Sequence, residues 1–372
     1  MFLETMDKGQ VGWLGDTDSQ YYYFGTPKLV SPTLTWETIA TANVGIDLGF
    51  FNNDLNINFD WYQRDTKDML APGAALPQVL GTSAPYMNAG SLRTRGWELN
   101  IDWRHVFHDA GDLAVHANFN LADYKATIMD WDSNNLVNTN YAGKEYGEIW
   151  GFETDRYFTP EDFNADGSYK QELDADGNYV SGTADQSLLE SGKFVYGPGD
   201  VKFVDQNGDG KIDWGDGTVE DHGDLVKIGN STPRFQYSFR LGAEWKGFDI
   251  DLFFQGVGKR DMWSPSAFVM PLTRGADAIY AWQTDYVTEA DYAAGIIDQN
   301  AAYPRMYPGN AGQGVPGANI TAIGCNNFYP QDKYLMNLAY LRLKNLTVGY
   351  TLPQKWTRKA TIEKVRIYAS FN

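Results

Sequence analysis

Cysteine is almost missing. Cys325 is the single one in 372 residues, so no disulfide framework within the chain can hold the fold, and the thiol content says little about compartment. Long apolar runs are absent as well. No stretch approaches the ~20 consecutive apolar residues of a membrane helix, which excludes helical spanning. Spanning by a barrel stays open, because alternating strands hide their apolar face from any averaged hydropathy. Positive charge is scarce: 30 Lys and Arg stand against 48 Asp and Glu, a net charge of −18. That balance argues against a nucleic-acid partner, whose phosphates need a basic surface. The opening MFLETMDKGQVGWLG has no basic start followed by an apolar core, so no secretory signal is read there. If the rest of the chain points outside the cytoplasm, the chain is expected to be a fragment.

Aromatic residues, at 15% of the chain, and 38 glycines are what is abundant. Together they favour β structure with many turns. Period-two alternation carries the same message. In LNINFDW, Leu55, Ile57, Phe59 and Trp61 share one side and Asn56, Asn58 and Asp60 the other. WELNIDW repeats the pattern with Trp97, Leu99, Ile101 and Trp103 against Glu98, Asn100 and Asp102. It recurs in ANVGIDLGF, LAVHANFNL, FQYSFRLGAEW, FDIDLFF, LTVGYTL and VRIYASF, about eight segments in all. Apolar residues at i, i+2, i+4 and i+6 wrap around a helix instead of forming a stripe, so strands are the reading.

The connections alternate too. FFNND, a few residues around His108, Lys246 with Gly247, and a fairly short linker around Trp356 join strands in pairs. Between the pairs lie about 30 residues before Trp97, about 100 before Phe235 and about 80 before Tyr340. Long loops count against most compact folds, whereas an antiparallel outer-membrane barrel has short periplasmic turns and long external loops. The pattern predicts an all-β, antiparallel transmembrane barrel wall, its apolar stripe against lipid and its polar stripe against water. Trp61, Trp97, Trp103 and Trp245 suit the interfacial aromatic girdles. A soluble sandwich or propeller, with its stripe facing a protein core, alternates identically.

The longest connection, residues 129–230, contains KFVDQNGDGKIDW. A 12-residue calcium loop takes oxygen ligands at positions 1, 3, 5, 7, 9 and 12, with Gly at 6 for the turn. From Asp205 these are Asp205, Asn207, Asp209, the Lys211 carbonyl, Asp213 and Asp216, with Gly210 at the turn. Asp at the last position is shorter than the usual Glu, which weakens bidentate closure. Calcium here would act as a structural clip on a long exposed loop; an acidic turn without metal is the alternative. Asp162, Asn164 and Asp166 begin a similar stretch, but Lys170 and Leu173 supply no later carboxylate. Those residues and DADG at Asp174–Gly177 read first as Asx-rich hairpin turns.

Catalytic signatures are not found. His105 and His108 have a metal-compatible spacing but fall in an expected short turn, and His116 and His222 complete no constellation. Trp263, Tyr280, Trp282 and Tyr286 in the long loops could stack on sugars, meet a partner, or hold the loop together. A secreted glycan-binding module or glycosidase is the rival class.

GDVKFVDQNGDGKID followed by IGNSTPRFQYSFRLGAEWKGFDIDLFFQGVGKRD resembles the C-terminal barrel of SusC/RagA-type TonB-dependent transporters of Bacteroidetes. So do LTWETIATANVGIDLGFFNNDLNINFDWY, MNAGSLRTRGWELNI and YLRLKNLTVGYTLPQKW, in the expected order. The resemblance implies a 22-stranded outer-membrane barrel of which residues 1–372 are part, with an N-terminal plug, coupling to TonB, and a SusD-like surface lipoprotein as lid. It implies import of oligosaccharides or peptides. No plug or TonB-contacting segment is read in this chain, and about eight strands cannot close such a barrel.

Overall fold

The computed structural model describes residues 5–11, 21–32, 34–72, 76–82, 84–131, 135–190, 194–271, 279–307 and 325–372. Parts of the N-terminal stretch, and the side chain of Cys325, lie outside the described set.

One eight-stranded antiparallel sheet dominates, its strands neighbouring each other in chain order. They are β1 (Thr38–Phe50), β2 (Leu55–Pro72), β3 (Tyr86–Phe107), β4 (Leu113–Trp131), β5 (Arg234–Trp245), β6 (Phe248–Lys259), β7 (Tyr340–Thr351) and β8 (Arg366–Phe371). β1 and β8 each pair with one neighbour, so the sheet is an open part of a barrel wall. Tight turns close three hairpins at one end, and residues 352–365, with the short helix Gln354–Thr357, connect β7 to β8 there. Between β5 and β6, Lys246 and Gly247 both adopt positive φ, 50° and 88°, the two-residue turn whose twist matches the flanking strands.

Register turns the alternation into rows across the wall. Leu48, Ile57, Ile101, Phe119, Phe239, Phe254 and Leu343 stand side by side on successive strands. One residue along, Asp47, Asn58, Asn100, Asn120, Ser238, Gln255 and Arg342 form the adjacent row, which points to the opposite face. The apolar rows are not packed on protein. Val44 is 70% exposed and Ile46 53%, and Phe59, Trp61, Leu241, Ile250 and Val348 are exposed as well. Along β3 the apolar side runs from Trp97 to Phe107, about 33 Å of extended chain, or about 25 Å of thickness at a barrel tilt, the height of an outer-membrane apolar band. A sandwich or propeller would bury this face; here no described residue does so.

Buried apolar residues lie elsewhere. Apart from Ala71, Ala126, Ile128 and Val257 at the loop ends of wall strands, those described belong to the connections. Residues 135–233 and 263–339 contribute jointly to one core of Phe152, Tyr157, Phe158, Leu189, Phe203, Ile212, Met270, Val287, Phe328 and others. Small two-stranded sheets frame it, Thr154–Tyr157 with Val201–Phe203 and Glu148–Gly151 with Val226–Asn230.

Two expectations need correction. The connection before Trp97 is not about 30 residues: β2 continues to Pro72 and β3 starts at Tyr86, leaving 73–85 between them. Alternation fades there because both faces of a strand that projects beyond the hydrocarbon meet water. His105, placed by the sequence in a turn, is part of β3, and only His108 opens the short turn.

Candidate functional site

The polar face of the wall is a hydrogen-bonded lattice. Asn58 Nδ2 donates to Asp47 Oδ1 at 2.6 Å, Asn100 to Asn120 at 2.5 Å, and Asn120 to Asn118 at 2.6 Å. Toward the tight turns, Asp251 accepts from Arg240 at 2.8 Å and pairs with His116 at 3.1 Å. Amides and short hydroxyls that bond one another sideways still offer donors and acceptors forward, the chemistry of a face turned to water. No reaction centre is formed by the histidines: His105 pairs with Asp54 and His108 with Asp112, both at 2.7 Å, while His222 lies against the Trp150 ring at 5.2 Å.

Above the wall the two long connections are locked together. Tyr157 Oη donates to the Ala301 carbonyl at 2.9 Å, Tyr196 Oη to that of Asn326 at 2.8 Å, and Phe152 N to that of Pro330 at 2.8 Å. Asp200, fully buried, accepts from Tyr307 Oη, Asn327 Nδ2 and Gly197 N at 2.7, 2.7 and 2.9 Å. Burial pushes its carboxyl up to about 7, against the lowering effect of those hydrogen bonds. Asp162 has the opposite balance. Burial raises it, but a bidentate Arg156 at 2.7 Å, Thr159 N and Thr183 Oγ1 hold it well below the usual carboxylate range.

Asp162 therefore faces Arg156 in the interior. Asp166 Oδ1 accepts from Ser168 N at 3.0 Å and Asp174 Oδ1 from Asp176 N at 2.9 Å, and both stretches are Asx turns. In the Asp205 loop, Gly210 sits at φ 82°, as the turn position of a calcium loop requires. Asp205 accepts from Gly208 N and Gly210 N, Asn207 Oδ1 from Asp209 N, Asp209 Oδ1 from Lys211 N, and Asp213 Oδ1 from Gly215 N, at 2.7 to 3.0 Å. The backbone fits a cation loop. The carboxylates are turned onto their own amides, and among the described residues no three acidic, His or Cys side chains group closely enough to hold a metal. Sequence reasoning missed Asp224, which spans the loop by accepting from Gln206 N at 2.7 Å and Asp213 N at 2.8 Å. Burial, with Asp205 and Asp213 nearby, raises its carboxyl. Only its distance in space, not in sequence, marks it.

The loop aromatics divide. Trp263 packs against the shared core, and Tyr286 is half-buried in a bridge to Tyr303. Tyr280 and Trp282 stack at 4.5 Å and are exposed beside Phe268.

The family profile for TonB dependent receptor-like, beta-barrel proteins matches residues 14–370. TonB-dependent receptor P3 of Formosa agariphila is 27% identical over 355 residues, covering 91% of this chain and 29% of that protein. TonB-dependent receptor SusC of Bacteroides thetaiotaomicron is 26% identical over 369 residues, covering 96% and 30%. The fold is similar to that in the structure of the RagAB peptide transporter, with TM-score 0.62, 20% identity, and coverage of 98% of this chain and 34% of that one. The chain thus spans about a third of the length of these relatives. With residues 14–370 matched and a two-faced open wall as its architecture, the chain belongs to the TonB-dependent receptor β-barrel family of the outer membrane.

Proposed function

We propose that this chain supplies lumen wall and external loops to a TonB-dependent importer of oligosaccharides or peptides that works with a SusD-like surface lipoprotein. The observation that carries the reading is the pair of adjacent rows, Leu48 to Leu343 apolar and Asp47 to Arg342 polar, on opposite faces of one sheet. Such a sheet separates hydrocarbon from water. Kinship with SusC and with a transporter described as importing peptides supports import. TonB would engage a part of the protein outside this chain. The jointly packed loops stand at the external end, where a lipoprotein lid would rest, and exposed Phe268, Tyr280 and Trp282 offer it or the cargo an aromatic surface. Uptake of labelled oligosaccharides and oligopeptides by cells carrying the whole transporter tests the reading. Uptake that needs both TonB and the lipoprotein supports it; uptake unchanged without TonB refutes it.

Calcium belongs to the same proposal, as a clip at Asp205, Asn207, Asp209, the Lys211 carbonyl, Asp213 and Asp216. Ligand spacing supports it, as does the concentration of negative charge, with Asp224 raised partly by Asp205 and Asp213. Closure would draw the carboxylates off the loop amides.

A further inference from the structure

The apolar side of the wall changes character abruptly beyond the Trp61 and Trp97 row. The next outward residues are Gln63 and Arg95, then Asp65 and Arg93, with Lys125 beside Arg95 on β4. Between them lies an open depression of about 440 Å³. Arg93, Arg95, Lys125 and Arg234 line it, and Asp123 is the one carboxylate in the lining. With Asp65 and Glu145 counted beside Asp123, the four cations meet three carboxylates, which leaves a small excess of positive charge in a chain with 48 acidic and 30 basic residues.

The cations differ in how far they are engaged. Arg234 is held by Asp123 in a bidentate pair at 2.5 Å and is largely buried. Arg93 leans on Asp65 at 2.6 Å, and Lys125, half-exposed, on Glu145 at 3.0 Å. Exposed Arg95 bonds a neutral group only, donating from Nε to Gln63 Oε1 at 2.8 Å, and no acid pairs with it among the described residues. Its remaining guanidinium donors form a fork suited to phosphate. The floor beneath is aromatic, Trp61 and Trp97, at the level where tryptophan marks the boundary between hydrocarbon and headgroups.

We propose that this depression binds the phosphorylated headgroup of an outer-leaflet lipid. Charge complementarity and continuity with the apolar band choose the occupant: acyl chains would lie on Phe59, Leu99 and their row, and the phosphate would reach Arg95 and Lys125. The inference rests on the membrane placement of the wall proposed above. It would give the wall a fixed depth and a lipid collar at the side next to the external loops.

The test uses the full-length transporter in detergent micelles and a bisphosphorylated acyl-disaccharide as probe, read by native mass spectrometry. One or more retained probe molecules are expected. Retention should fall when both phosphates are removed from the probe, and by about fivefold for each of Arg95→Gln and Lys125→Gln. Arg95→Lys, which keeps the charge and loses the fork, should hold more probe than Arg95→Gln and less than the unchanged protein. Where a Gln variant does not fold, the comparison of the two probes on the unchanged protein decides. Equal retention of the dephosphorylated probe, or equal occupancy by inorganic phosphate alone, would overturn the proposal. Import is measured separately, so an active importer with no headgroup preference contradicts this inference and leaves the transport reading intact.

Discussion

The Asp200 carboxylate, in the first long connection, accepts a 2.7 Å hydrogen bond from the Tyr307 hydroxyl in the second. The acid is fully buried, and Asn327 Nδ2 from the same second connection shares it. Two loops separated by a hairpin of the wall are thereby joined at a titratable point.

That join should depend on pH. The folded carboxyl titrates near 7, against an ordinary value of 3.8. Between those values the unfolded loops release a proton that the folded unit keeps, so stability falls as pH rises from about 4 to about 7 and is level above. Asp200→Asn should remove the dependence, since its amide does not titrate. Limited proteolysis of the loops at pH 5 and pH 8 checks this.

Asp162 has the reverse sign. Its folded carboxyl lies below the ordinary range, so its contribution is present at neutral pH and is lost as pH falls toward that lowered value. Asp162→Ala leaves Thr159 N and Thr183 Oγ1 without their acceptor and the partly exposed Arg156 without its partner, and should cost the loop unit about 1–3 kcal/mol. Thermal unfolding followed through loop tryptophans should show the loss with the wall transition unchanged.

Calcium should protect the loops if the Asp205 segment closes on it. Asp205→Ala with Asp209→Ala in the whole protein should abolish that protection and weaken lipoprotein contact without unfolding the wall. Equal protease sensitivity of the unchanged protein with and without calcium would contradict the clip.

Phe239 and Ser238 are adjacent in sequence and belong to opposite rows. Phe239→Arg would put a charge into hydrocarbon and should cost about 2–4 kcal/mol if it lies near the midplane. Ser238→Arg, on the lumen face, should change stability by about 0.5 kcal/mol or less. Folding equilibria in lipid vesicles would separate them.

The wall was legible in the sequence because a half-greasy strand has to alternate, and LNINFDW and WELNIDW each keep to one period through the apolar band. Legibility stopped where the physics that causes alternation stops. Arg64, Asp65, Thr66 and Lys67 extend β2 beyond the band with polar groups on both faces, so pattern ends before the strand does. The shared core of the loops was not legible either. Phe152, Phe203 and Phe328 meet from distant parts of the chain with no periodicity to announce them. Local chemistry fared better: Asp174 and Asp166 form the turns their spacing suggests, because Asx turns are settled within a few residues. Asp162, from the same stretch, is claimed by Arg156 and Thr183, which only the fold supplies.

The most direct measurement is spin-label accessibility across one row boundary in the full-length protein, with Cys325 replaced and single cysteines at Ile46, Phe59, Leu99, Asn58, Asn100 and Ser238. Oxygen dissolved in lipid should reach labels at Ile46, Phe59 and Leu99, and a water-soluble nickel reagent should reach those at Asn58, Asn100 and Ser238. Nickel access to the first set equal to that at the second, or exclusion of both reagents from the first set, would contradict a wall set between hydrocarbon and lumen.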